Sequence, residues 1–270
     1  MATADIGDVS LYYERVGHGS TILFVHGIFG DGDAWTDQAA RLSDRYACVR
    51  YDRRGYTRST RGSATVTDAL HADDAAALIE ALGLAPCLVV GSSSGAAITV
   101  EVALRHSRLL RGVVLSEPPL FSLDPDAGEA FMTEVGPRID EAMAAGGPPA
   151  AVDAFMSTVC PGLWSIVDED RKARYRANAE IGFTDLQSPS LDTTAADLAG
   201  VALPALVLSG SASHPSFHAV AHQLATALPD ARFVELEGSG HVTYAERPDE
   251  FEHAVRVFAA ELDRNAAASA

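Results

Sequence analysis

The chain has 270 residues, 47% of them hydrophobic, with 37 Asp and Glu against 20 Lys and Arg. That is enough apolar material for the core of one large domain, and no low-complexity stretch argues for disorder. The formal net charge of −17 argues against nucleic-acid and anionic-membrane partners, because phosphate groups are repelled, and it disfavours a highly anionic substrate.

The N-terminal stretch MATADIGDVSLYYERVG has no basic n-region and no long apolar core, so it does not read as a secretion signal. Val9 to Arg15 and Thr21 to Val25 are β-branched and aromatic runs separated by GHGS, which predicts a hairpin. Tyr46 to Tyr51 predicts a strand, and Val66 to Leu82 an amphipathic helix stopped by Gly83. Cys87 to Val90 and Arg111 to Leu115 are continuous apolar runs, the pattern of strands buried on both faces. Between them, Gly95 to Arg105 predicts a helix.

From Leu120 to about Gly200 the pattern is helical, interrupted by GGPP at 146–149 and PGLW at 161–164. The alternation resumes with the strand in PALVLSG from Pro204, a helix over 217–228, a strand over 232–236 and a closing helix over 248–262. This predicts a mostly parallel sheet covered by helices on both faces, an α/β class. Residues 1–119 and 201–270 form the expected sheet domain, with 120–200 a helical cap inserted into it. No window reaches the roughly 20 apolar residues of a membrane span. The three cysteines, Cys48, Cys87 and Cys160, are scattered and form no CxxC pair. They read as buried reduced thiols of a cytoplasmic protein.

Gly91-Ser92-Ser93-Ser94-Gly95 fits G-x-S-x-G between a buried strand and a helix, the context that this nucleophile turn requires. The tight turn needs small flanking residues and presents the Ser93 hydroxyl above the sheet edge. Behind it, the helix N-terminus favours negative charge, and the Ser94 N–H points at a developing oxyanion. The second donor is expected from the loop after TILFV, where His26-Gly27-Ile28-Phe29-Gly30 offers the Ile28 N–H. His26 itself reads as a brace for that loop. His241 ends GSGH after the last strand, C-terminal to the nucleophile, where a general base belongs.

HGIFG, DRRGYTRS at 52–59, GSSSG and GSGH at 238–241, in that order, resemble the α/β-hydrolase superfamily over nearly the whole chain. Most members carry the triad acid as an Asp after the strand that here reads PALVLSG. This chain continues Ser211-Ala212-Ser213-His214-Pro215 and has no carboxylate between Asp197 and Asp230. Without an acid the imidazole tautomer is not fixed, a loss of up to about 10⁴ in rate in the protease example. Glu117, immediately after GVVLS, stands where certain dehalogenases and the zearalenone-type lactonases place their acid. GSSSGA with the downstream SEPPL is similar to those lactonases, and the resemblance implies Glu117 as the acid.

The expected function is therefore a serine hydrolase of carboxylic esters or lactones, including a zearalenone-like macrolactone, with no metal or organic cofactor. A C–C-bond hydrolase or cofactor-free perhydrolase on the same triad is the first alternative. A ligand receptor with little turnover is the second. Apolar and aromatic candidates for the substrate pocket are Phe29, Leu120, Phe121, Trp164, Ile166 and Phe183. His214, His218 and His222 share a helix face by spacing but lack the Glu of a zinc motif. They read as a wet helix surface. Asp52 is expected to pair with an arginine of Arg53, Arg54 and Arg58.

Overall fold

The continuous apolar runs become the interior strands of one eight-stranded sheet in a computed structural model, which describes residues 2–188 and 192–269. The strands are β1 (Ala2–Ile6), β2 (Val9–Val16), β3 (Thr21–Val25), β4 (Ala47–Tyr51), β5 (Cys87–Ser92), β6 (Leu110–Ser116), β7 (Ala205–Gly210) and β8 (Ala231–Leu236). Their order is β1-β2-β4-β3-β5-β6-β7-β8. From β4 to β8 neighbours run parallel; β1 and β2 run antiparallel at one edge.

The hairpin expected between residues 9–15 and 21–25 does not form. β2 pairs instead with β1, around a turn at Gly7, and with β4, Tyr13 opposite Tyr51. All five residues of β3 are buried, so β3 needs sheet partners on both sides and helices over both faces. It finds them between β4 and β5. The connection from β2 passes close to the Tyr46 backbone: a Cβ at Gly17, where φ is +77°, would lie 2.2 Å from the Tyr46 carbonyl oxygen. Only glycine fits there.

Alternate strand residues feed two cores, as the period of 2 requires. Leu23, Val25, Val89, Val113 and Val207 face one side, where α2 (Asp68–Ala81) and α3 (Ser94–His106) pack. Ile22, Phe24, Leu88, Val90 and Leu208 face the other, against α1 (Thr36–Leu42) and residues of the C-terminal helix.

Between β6 and β7 the described residues form only helices: α4 (Pro125–Val159), α5 (Pro161–Ile166), α6 (Glu169–Ala177), α7 (Ala179–Gln187) and α8 (Ala195–Ala199). The inserted region expected over 120–200 also contains 189–191, which lie outside the described residues. The interruption expected at GGPP is a kink inside α4, where Gly147 takes φ +71°. α9 (Pro215–Ala227), α10 (Thr243–Glu246) and α11 (Pro248–Ser269) complete the fold. Among the described residues, no helix is long and apolar enough to cross a membrane.

Candidate active site

Ser93 sits between β5 and α3 with φ +55° and ψ −128°, a region that non-glycine residues enter only when the surroundings force them. Its neighbours supply that force. A Cβ at Gly91 would lie 2.3 Å from the Gly95 carbonyl oxygen, and one at Gly95 would lie 2.3 Å from that of Val25. The Ser93 N–H donates to the Ser116 carbonyl of β6 at 2.9 Å. Ser94 is the first residue of α3, so its N–H is one of the first-turn donors that no intrahelical acceptor satisfies.

Glu117 follows β6 with φ +55° and is 0% exposed. A buried carboxylate is tolerated only where donors replace water, and this one has four. Oε1 accepts from the Ser209 hydroxyl at 2.7 Å and from the Gly210 N–H at 2.8 Å. Oε2 accepts from the Ser213 hydroxyl and meets His241 Nδ1 at 3.2 Å. Ser213, in the loop after β7 that carries no carboxylate in this chain, donates to the carboxylate that reaches in from β6. His241 is buried with its ring centroid 4.1 Å from that of Phe217 in α9. Glu246 accepts from the N–H groups on either side of it, Gly240 at 2.8 Å and Val242 at 3.3 Å, so the histidine loop is held at both ends.

The 26–30 loop crosses Ser93. A Cβ at Gly27 would approach the Ser93 Cβ to 3.3 Å and its hydroxyl to 3.9 Å. His26 is buried; Nδ1 donates to the Gly27 carbonyl at 2.8 Å while Nε2 accepts from the Arg53 N–H at 3.0 Å. Burial, and then the Arg53 guanidinium, push its pKa well below the ordinary value, so it is a neutral brace with one tautomer. Asp52 makes a two-pronged pair with Arg58, at 2.7 Å to both Nε and Nη2, and supports this loop by accepting from the Gly32 N–H.

Ser93, His241 and Ile28 line one small cavity, of about 30 Å³. Its walls include Phe155 and Met156 of α4, Cys160 between α4 and α5, Leu163 of α5, Tyr175 of α6, and Val242 and Tyr244 around α10. None of the six residues expected to line it is among these. Phe29 is buried and packs edge-on against Phe155 and Phe183 at 5.4 and 5.1 Å. Leu120 lies in the core, Phe121 packs on Phe131 and Phe217, and Trp164 stands edge-on to Tyr175. Ile166 is 66% exposed. These side chains back the wall or lie away from it, because the cavity faces the turn of α4 before Val159, whose residues the composition of the region does not single out.

The sequence pattern of the Alpha/beta hydrolase family matches residues 22–254. The chain belongs to that family. Among its relatives, this α/β hydrolase is 36% identical over 126 residues to the uncharacterized hydrolase YraK of Bacillus subtilis, a match spanning 45% of each chain. It is 29% identical to the putative carbamate hydrolase RutD of Azorhizobium caulinodans, over 98% of this chain and 100% of that one. Among solved structures it is similar to the enol-lactonase from Burkholderia xenovorans, with a TM-score of 0.71 and 25% identity, covering 96% and 100% of the two chains.

Four non-glycine residues of the described hydrolase have positive φ: Phe29, Thr57, Ser93 and Glu117. Two are the nucleophile candidate and the acid candidate; the other two meet at Asn178, a residue that no sequence motif marks. Ser209, Ser213 and Phe217 carry no motif either, since each reaches Glu117 or His241 from an element remote in sequence; Glu246 is local to the histidine loop but stands in no motif that marks it. The three histidines divide: His218 and His222 of α9 bring their Nε2 atoms to 3.1 Å, whereas His214, which caps the helix, contacts Glu134. Among the described residues, no group of three or more His, Cys, Asp and Glu is arranged to hold a metal ion.

Proposed function

We propose that this protein hydrolyses small carboxylic esters or lactones through an acyl-enzyme on Ser93, with His241 as general base and Glu117 as the triad acid. The observation that carries the reading is the contact of Glu117 Oε2 with His241 Nδ1 at 3.2 Å, on an imidazole that lines the same cavity as Ser93. Glu117 keeps the proton on Nδ1, which leaves Nε2 free to take the Ser93 proton.

The Ser93 oxygen attacks the substrate carbonyl as its proton passes to His241 Nε2. The resulting oxyanion is held by the N–H groups of Ile28 and Ser94, and the positive end of α3 adds to the field. His241 then returns the proton to the leaving alkoxide, and the alcohol departs. In the second half, His241 takes a proton from water, the hydroxide attacks the acyl carbon, and the acid leaves with Ser93 reprotonated. With a lactone the alcohol stays tethered, so one product leaves after deacylation.

Residues 120–200 act as the cap in this reading. The cavity of about 30 Å³ holds a very few waters, which favours short acyl groups; a macrolactone requires the cap helices to move aside. The similarity to an enol-lactonase supports lactones, and that to a putative carbamate hydrolase adds carbamates to the substrates worth assaying.

The test is product formation, followed by chromatography, from aryl esters, aryl carbamates, acyl-homoserine lactones and zearalenone, with Ser93→Ala as control. Turnover by the wild type and its loss by at least about 10³-fold in the variant is the expected result. Equal rates in both proteins would refute the nucleophile. Binding seen as a raised melting temperature without any product would favour a receptor.

A further inference from the structure

We infer that Asn178, at the junction of α6 and α7, is a positioning residue that latches the oxyanion loop to the cap. It is buried, and its side-chain amide holds two loops at once. Nδ2 donates to the carbonyls of Phe29 at 3.0 Å and Gly30 at 3.1 Å, and Oδ1 accepts from the Thr57 N–H at 3.1 Å. Among the described residues, Phe29 and Thr57 are the two non-glycine residues of positive φ outside the elbow and the acid candidate, at +60° and +37°.

A left-handed non-glycine residue persists only when its surroundings over-determine it. At Phe29 the amide fixes the carbonyls of that residue and the next, and so sets the plane of the backbone just after Ile28. The Ile28 N–H is the donor assigned above to the oxyanion, and its direction depends on that backbone. The ring side is pinned from the same helices: a Cβ at Gly182 would lie 2.2 Å from Phe29 Cδ1. Arg174 adds an ion pair to Asp33 at 2.9 Å, just beyond the loop. The oxyanion hole is therefore complete only when α6 and α7 are seated on the sheet domain. Cap closure, which encloses substrate, and assembly of the electrophilic site become one event.

This inference rests on the esterase reading for its kinetic consequence but not for its structural one, so the experiment has two arms. Asn178→Asp is nearly isosteric and cannot donate to either carbonyl. Gly182→Ala displaces Phe29 while leaving Asn178 in place. In both, kcat on an aryl ester should fall about 10- to 100-fold with KM unchanged, because an interaction confined to the transition state is lost. Affinity for a trifluoromethyl ketone analogue of the ester should fall by a similar factor. Hydrogen exchange should accelerate in residues 26–33 and stay unchanged across the remaining strands.

Unchanged exchange in 26–33 with kcat within twofold of wild type overturns the latch. So does acceleration across the whole sheet, which would mark Asn178 as a general stability residue, or a loss of activity carried entirely by KM. If the wild type turns over no ester while the local acceleration still appears, the latch stands and the esterase reading fails.

Discussion

Glu117 has four donors around two oxygens and makes no contact with solvent. Replacing it with Gln puts an NH₂ group among those donors and removes the charge that, in the proposed mechanism, stabilises an imidazolium on His241. Turnover should fall about 10³- to 10⁴-fold, with circular dichroism of the native kind and a stability loss of about 1–3 kcal/mol for the mismatched hydrogen bonds. Steady-state kinetics and urea unfolding measure the two together. Activity within tenfold of wild type would remove Glu117 from the mechanism. The absent Asp after β7 and the Glu after β6 are both plain in the sequence. That Ser209 and Ser213 converge on Glu117 is not, because it depends on β6 and β7 being neighbours in register, Ser116 opposite Leu208.

At the scale of elements, α7 is tied to the sheet domain by a buried charge. Its Asp185 pairs with Arg53 at 3.0 Å, with side chains 5% and 0% exposed, accepts from the Tyr56 hydroxyl at 2.6 Å and contacts His71 Nε2 at 3.2 Å. Burial alone would raise the Asp185 pKa, but the Arg53 guanidinium and the His71 and Tyr56 hydrogen bonds outweigh it and hold the carboxyl well below its ordinary value. Asp185→Asn leaves the Arg53 charge buried and unpaired, which should cost about 3–5 kcal/mol at neutral pH.

A lowered folded-state pKa gives stability that is fully present above the unfolded pKa and is lost as pH falls toward the folded one. The gap between wild type and variant should accordingly narrow below about pH 4. Chemical denaturation at pH 7 and pH 3.5 tests this; an equal gap at both values would remove Asp185 as the titrating group. The interior strands and the helices between them were legible from period and punctuation; β1 and α1, both short elements, were not. The pairing of β2 was not, because amphipathic and doubly buried strands of similar length differ only in which neighbours cover them.

For the whole molecule, the cavity and the charge bear on the substrate of the proposed hydrolysis. A space of about 30 Å³ walled by Phe155, Met156 and Leu163, in a chain of net charge −17, suits a small, uncharged acyl group. Specificity constants for p-nitrophenyl esters should peak at acetyl to butyryl and drop at least about tenfold by octanoyl, as overfilling displaces packed side chains. Met156→Ala should shift the optimum toward longer chains. A profile flat to octanoyl in the wild type would mean that the cap opens freely and sets no length limit.

The sequence alone determined the α/β class, the G-x-S-x-G turn and its strand–helix setting, the histidine loop, and the lack of an Asp after β7. These are local properties: apolar period, glycine at tight turns and residue order are written along the chain. Tertiary structure decided what lies between distant segments. It set the pairing of β2 with β1 and β4, the four donors around Glu117, the hold of Asn178 on Phe29 and Thr57, and the residues that face the cavity. Apart from the short β1–β2 turn, each of those is a contact between groups far apart in sequence, and only closure of the sheet and seating of the helices brings them within hydrogen-bond or van der Waals range.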